Sequence, residues 1–243
     1  MRNVMMMADN VTTIRGYRMN RRNDSAEILL YGPIGPSFWG DSITAVQFRK
    51  DLKALGEVKA IDLRINSEGG SVFDAAAIYN ALKEHPASVT AHVDGMALSA
   101  ASVILQAGDQ RVMAENAFVM IHDPWSMVVG DASAMRREAD LLDSIKDTIV
   151  DVYVARSGQD RTQVERMMTD ETWMTSEEAL QSGFVDQISE NLKVAASFDA
   201  ARYGYRRTPG WAEQRSKADA PPPDLVRRAR LAHMTRAQQR HKR

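Results

Sequence analysis

A single serine, Ser99, stands between Asp94-Gly95-Met96-Ala97-Leu98 and Ala100-Ala101-Ser102, where a strand is expected to give way to an apolar helix. There its hydroxyl would lie near the positive end of a helix dipole, with unpaired backbone N–H groups close by. That placement suits an attacking oxygen and a binder of developing negative charge. Small residues also let a helix pack tightly on a sheet, so this stretch alone says little. Its force comes from Asn66-Ser67-Glu68-Gly69-Gly70 before it and Met120-Ile121-His122-Asp123-Pro124 after it.

Paired glycines between a strand and a helix permit positive φ and close backbone approach. Gly69-Gly70 therefore reads either as a tight turn or as a place where the Gly70 N–H points at an oxyanion. A donor of that kind lowers a barrier by about 3–4 kcal/mol. Ala100 N–H would be the second donor. No Lys-Ser/Thr follows the glycines, which argues against a phosphate cradle. Ala97 and Ala101 hold the glycine positions of a Gly-x-Ser-x-Gly elbow, which disfavours the α/β-hydrolase fold.

Of the five histidines, His85 falls at a helix end, His92 on the polar face of a strand, and His233 and His241 in the tail. Only His122 closes an apolar strand able to meet the serine, and imidazole titrates where a general base must. Such a base needs an orienting carboxylate. Asp170-Glu171 offers two candidates, of which at least one must be an ordinary solvated charge. His92, Asp94, His122 and Asp123 lack any metal-ligand spacing, so no metal is expected.

Positioning these groups falls to alternating elements. Strands are expected at 26–32, 60–66, 89–93, 111–114 and 117–121. Helices are expected at 42–55, capped by Asp41 or Ser42, and at 72–84, 99–107, 131–157, 162–168 and 177–182. The alternation indicates an α/β domain with mostly parallel pairing. Met135, Ala139, Leu142, Ile145, Ile149 and Val152 line one side of the long helix, a face that would pack within the subunit or between subunits. Residues 1–25 read as a mobile arm, 26–190 as the domain, and 191–243 as a polar, basic extension expected to be partly disordered.

The chain of 243 residues is long enough for a substantial core, and its 44% hydrophobic content is ordinary. It has no cysteine, which excludes disulfides, thiolate metal sites and a cysteine nucleophile. No apolar run reaches membrane-span length and the N-terminus lacks a signal-peptide core, so a soluble, cytoplasmic protein is expected. From Arg202 to Arg243 twelve basic residues face three acidic ones, a balance of +9; the net charge of −1 leaves −10 for the rest. The tail would bind acidic protein, nucleic acid or nothing, with a solvated extension as the default.

The ordered motifs Asn66-Ser67-x-Gly69-Gly70, Gly95-Met96-Ala97-x-Ser99, Met120-Ile121-His122-x-Pro124 and Glu178-Ala179-x-x-x-Gly183-Phe184-Val185-Asp186 resemble the proteolytic subunit of the Clp protease (ClpP), a serine peptidase. The resemblance covers residues 26–190. It implies an α/β fold of the ClpP/crotonase type, a superhelix of repeated β-β-α units with a protruding long helix. It also implies a ring-shaped homo-oligomer cutting polypeptide inside a chamber, with no cofactor. Matched position by position, Ser99 is the nucleophile, His122 the base, and Gly70 and Ala100 the oxyanion donors. Counting back from Glu178-Ala179 and Gly183 puts the triad acid on Glu171, with Asp170 one residue away as the alternative.

There are departures. Ala100 stands where the housekeeping enzyme has methionine, and Val128-Val129-Gly130-Asp131 only partly echoes the groove strand after the histidine. The wording Glu171-Thr172-Trp173-Met174-Thr175, the divergent ends and the basic tail resemble ClpP-related head-maturation proteases of phages and prophages. That subfamily implies capsid or scaffold protein as substrate, in a bacterium or infected host cell, and no obligatory ATPase. Alternatives are ATPase-assisted degradation of the housekeeping type, a crotonase-like acyl-CoA enzyme, and a non-catalytic structural ring.

Overall fold

A computed structural model describes residues 16–36, 42–190 and 205–209. It is built on one eight-stranded sheet. β1 (Gly16–Arg22) and β2 (Ser25–Tyr31) form an antiparallel hairpin. Asn23 takes the left-handed conformation of its tight turn, φ 55°, which asparagine tolerates well. β2, β3 (Ala60–Ser67), β4 (Ser88–Leu98), β5 (Gln110–Ala114) and β8 (Gln187–Ser189) then follow in parallel. In β3 the alternation is direct: Ile61, Leu63 and Ile65 are buried while Asp62 faces solvent.

Parallel neighbours need crossovers. α1 (Ala45–Ala54) and α2 (Val72–Glu84) supply the first two. Thr44 caps α1, not Asp41 or Ser42: its Oγ1 accepts from Gln47 N, while Asp41 lies outside the described residues. Val46, counted on the apolar face, is 82% exposed. α2 spans the expected residues, with Ser71 as its cap.

β4 is longer than expected and changes partners along its length. Thr90–Val93 pairs with β5, and Met96–Leu98 pairs with β6 (Phe118–Ile121). The switch comes at a register shift against β3, where Ile65 faces Val93 but Ser67 faces Ala97. Two residues of β3 thus span four of β4, and the extra length turns its end toward β6. The buried Asp94 carboxylate at this joint is held by the Arg64 guanidinium and the Tyr31 hydroxyl.

α3 (Ala100–Leu105), α4 (Ala132–Ser157), α5 (Arg161–Thr169) and α6 (Ser176–Gln181) complete the fold. In α4 only Val150 and Tyr153 are buried; Met135 and Leu141, toward its start, are exposed, so the helix protrudes. Three short strands escaped the periodicity. β1 falls within the expected arm: residues 16–22 are sheet, because Tyr17 and Met19 pack on the core while Arg18 and Asn20 face outward. β7 (Thr172–Met174) and β8 are three residues each, too short for a period.

Candidate active site

Strand register brings the singled-out residues together. Leu98 of β4 pairs with Met120 of β6, and Ser99 N donates to Met120 O at 2.8 Å. His122, two residues on, therefore reaches Ser99: Oγ and Nε2 are 2.7 Å apart. β6 pairs antiparallel with β7, Ile121 opposite Thr172, which places Glu171 beside His122. Ser67, at the end of β3, faces Ala97, so the Glu68-Gly69-Gly70 turn lies beside the serine. Everything sits at the carboxyl ends of β3, β4 and β6, where open α/β sheets place their ligands.

Ser99 holds φ 52°, ψ −124°, a strained conformation for a residue with a side chain. Its carbonyl accepts from Ser102 N at 2.9 Å and from Ser102 Oγ at 2.6 Å, and that hydroxyl is bonded in turn to buried Tyr153 of α4. Gly69 (φ 91°) approaches so closely that a Cβ there would lie 2.5 Å from Leu98 O and 2.9 Å from Ser99 Cβ. A Cβ on Gly70 would strike Ile34 O at 2.1 Å. Ile34 N bonds to Gly69 O and Ser71 N to Ile34 O, which pins the turn. Among the described residues, neither Gly70 N nor Ala100 N has an intrachain acceptor. α3 is only six residues long, so the local N–H groups matter more than a macrodipole.

His122 is half-buried, and burial pushes its pKa below the usual value of 6.5. The charges of Glu171 and Asp123 oppose that shift, and Arg206 adds to it. The imidazole is thus kept neutral, as a base must be. Asp123 is turned away, paired with Lys146 and Thr169.

The two acid candidates separate. Asp170 caps α5, pairs with Arg207 at 3.1 Å, and lines a cavity of about 330 Å³ with Gln159, Arg166 and Glu178; Ser99 and His122 are not part of that lining. Glu171 is buried and strained, φ 50°, and of the two it is the one whose charge acts on His122. Its carboxylate, however, does not bond to His122. It accepts from Trp173 Nε1 at 3.3 Å, Arg206 N at 2.6 Å and Arg207 N at 2.8 Å.

Those two amides, and Tyr205 beside them, are what sequence reasoning missed. The Tyr205 ring meets His122 edge-on at 5.4 Å and Trp173 at 5.6 Å, packs on Met96, Leu98 and Met120, and its hydroxyl donates to Glu68 O. The available signal was a run of aromatics, Phe198, Tyr203, Tyr205 and Trp211, at the start of a largely polar extension.

The fourth motif turns out to be structural. Glu178 completes a capping box with Thr175, and Gly183 (φ 71°) lies where a Cβ would meet Ser157 O at 2.3 Å. Phe184 and Val185 are buried, and Asp186 accepts from Arg111. The residues considered for a metal are dispersed: His92 pairs with Asp62 and Asp94 with Arg64.

A serine hydroxyl bonded to a neutral imidazole, on a strained turn at the carboxyl end of a parallel α/β sheet, defines a serine-type hydrolase. Comparison with known proteins gives the rest. The Clp protease family model matches residues 17–192, and the chain belongs to that family. Among solved structures it is similar to an asparagine-to-aspartate mutant of ClpP1 from Listeria monocytogenes, with TM-score 0.60 and 25% identity over 68% of this chain and 91% of that one. The protein is a serine-type peptidase of ClpP fold, acting on polypeptide as an oligomer.

Proposed function

We propose that Ser99, His122 and Glu171 are the catalytic triad of an endopeptidase, with Gly70 N–H and Ala100 N–H as its oxyanion hole. His122 Nε2 takes the Ser99 proton as Oγ attacks the scissile carbonyl carbon. The tetrahedral oxyanion is held by the two N–H groups, and His122 then gives its proton to the leaving amine. Water, deprotonated by the same imidazole, releases the acyl group and restores Ser99. Glu171 serves by bonding Nδ1–H, which fixes the ring and stabilises the imidazolium. The 2.7 Å Ser99–His122 hydrogen bond carries this reading. Its test is a fluorophosphonate: an adduct on Ser99, absent in Ser99→Ala and sharply slowed in His122→Ala, is expected. A protein that is not labelled at Ser99 under any condition refutes it.

The substrate we propose is phage capsid or scaffold protein, cut inside a ring in the host cytoplasm without an obligatory ATPase. The resemblance of the 171–175 segment to head-maturation proteases and the strongly basic extension support this. The expected unit is a peptidase domain over 26–190, now joined by β1, followed by a polar, basic extension over 191–243. Digestion of capsid and scaffold protein without nucleotide, lost in Ser99→Ala, is the predicted result. Cleavage that proceeds only with a Clp ATPase and ATP would move the protein to the degradative branch of the family.

A further inference from the structure

The contacts of residues 205–207 serve no step of the chemistry above, yet they fall on Glu171 and beside His122, which that chemistry needs, and on groups next to them. Two consecutive backbone N–H groups, from Arg206 and Arg207, clamp the two oxygens of Glu171. The Arg207 guanidinium takes the neighbouring Asp170. Tyr205 fills an apolar seat formed by Met96, Leu98, Met120 and Trp173, against the His122 ring. Its hydroxyl takes the carbonyl of Glu68, in the turn that carries Gly69 and Gly70. In sequence this segment follows the last strand of the sheet, β8, by fifteen residues.

We propose that residues 205–207 are an intrasteric strap: this segment of the C-terminal extension lies across the active site, withholds Glu171 from His122, occupies the seat beside Ser99, and keeps the peptidase idle until it is released. The inference rests on the triad reading given above. A buried carboxylate must be hydrogen-bonded. While two strap amides and Trp173 satisfy it, it has no need of His122 Nδ1–H; once the strap leaves, that N–H is the donor its position beside His122 offers. Release also uncovers the apolar seat formed by Met96, Leu98, Met120 and Trp173, which an apolar side chain of a substrate can fill. The charged groups acting on His122 are Glu171 from the start of β7, Asp123 from the loop after β6, and Arg206 from the strap. Departure of the strap removes the cation, opens the site to water and frees the anion, so all three changes raise the basicity of His122.

Full-length chains test this. Tyr205→Ala empties the seat, and Arg207→Pro deletes one clamping N–H without touching the triad. The readouts are the rate of fluorophosphonate addition to Ser99 across pH and the hydrogen exchange of the amides of residues 206 and 207. In the parent chain both amides exchange slowly. In each variant protection falls, labelling accelerates at least tenfold, and the acid limb of the rate moves to higher pH. Unprotected amides in the parent chain, or equal labelling rates and pH profiles in all three chains, overturn the strap while leaving Ser99 as nucleophile. Absence of any Ser99 adduct even in chains whose strap has lost protection overturns the triad reading itself, and the strap with it.

Discussion

Ser99 and Glu171 share a property that composition hides: each holds a positive φ that its side chain disfavours, at a cost of about 1–3 kcal/mol. The rest of the fold must over-determine both conformations, and it does so through the Ser102–Tyr153 bonds on one side and the α5–β7 turn on the other. This separates Glu171 from Asp170, which sequence counting left one residue apart. Glu171→Gln should lower kcat/KM by about 10²–10⁴-fold, as loss of the orienting acid does in other triads, while Asp170→Asn should not lower it. Steady-state kinetics on a fluorogenic peptide decides between them. His122 makes the pH prediction. With the strap in place its pKa is lowered, so the imidazole stays neutral below pH 6.5, and Ser99 labelling in the parent chain should fall only as pH drops through that depressed value. Linkage has the same sign: the unfolded chain binds the proton first, so this contribution to stability is complete above 6.5 and is lost as pH falls toward the folded-state value. An acid limb above 6.5 in the labelling rate of the parent chain would contradict this. The identities of Ser99 and His122 were legible because each ends an apolar strand; the strap was not, since its key contacts are backbone amides, which no residue type announces.

At the scale of elements, the site is a product of register. Three pairings, Ser67 with Ala97, Leu98 with Met120 and Ile121 with Thr172, bring four distant segments to one place. The helices that connect them were readable from spacing, α2 most directly, although the cap of α1 was placed two or three residues too early. β7 was not, although its pairing with β6 brings Glu171 beside His122, because three residues hold no period. β4 was half-read: the pattern Val89–Val93 ends at the joint, while the part that leads to Ser99 is buried on both faces and no longer alternates. Tight approach at the β3–α2 turn gives the next prediction. Gly69→Ala forces a Cβ against Leu98 O and Ser99 at a positive φ. It should destabilise the protein by about 1–3 kcal/mol and displace the nucleophile, visible as a lower unfolding midpoint in urea and slower Ser99 labelling. Asp131→Ala, which removes the α4 cap bond to Ala134 N, should cost about 1 kcal/mol and leave labelling unchanged.

At the scale of the molecule, most of the large exposed apolar side chains among the described residues fall in one stretch, with Val46, Phe73 and Leu180 elsewhere. Trp125, Met127, Val128 and Val129 follow His122, and Met135 and Leu141 continue onto the protruding half of α4. A patch of this kind on a protein that works as an oligomer belongs against another subunit. Val129→Glu with Leu141→Glu should shift sedimentation toward smaller species while circular dichroism stays constant. Unchanged sedimentation would place the contact elsewhere. The sequence showed that this helix was amphipathic but not that Met135 and Leu141 near its start are left exposed by the described residues, since period alone does not say what lies opposite. The margins of the sheet complete the picture. β1, at one border of the strand order, offers Arg18, Asn20 and Arg22 outward, and β7 and β8, at the others, are three residues long. Repulsion along the first and brevity of the other two discourage a foreign chain from zipping on by main-chain pairing. Copies of this subunit are thereby expected to meet through side chains, with growth into an open fibril disfavoured.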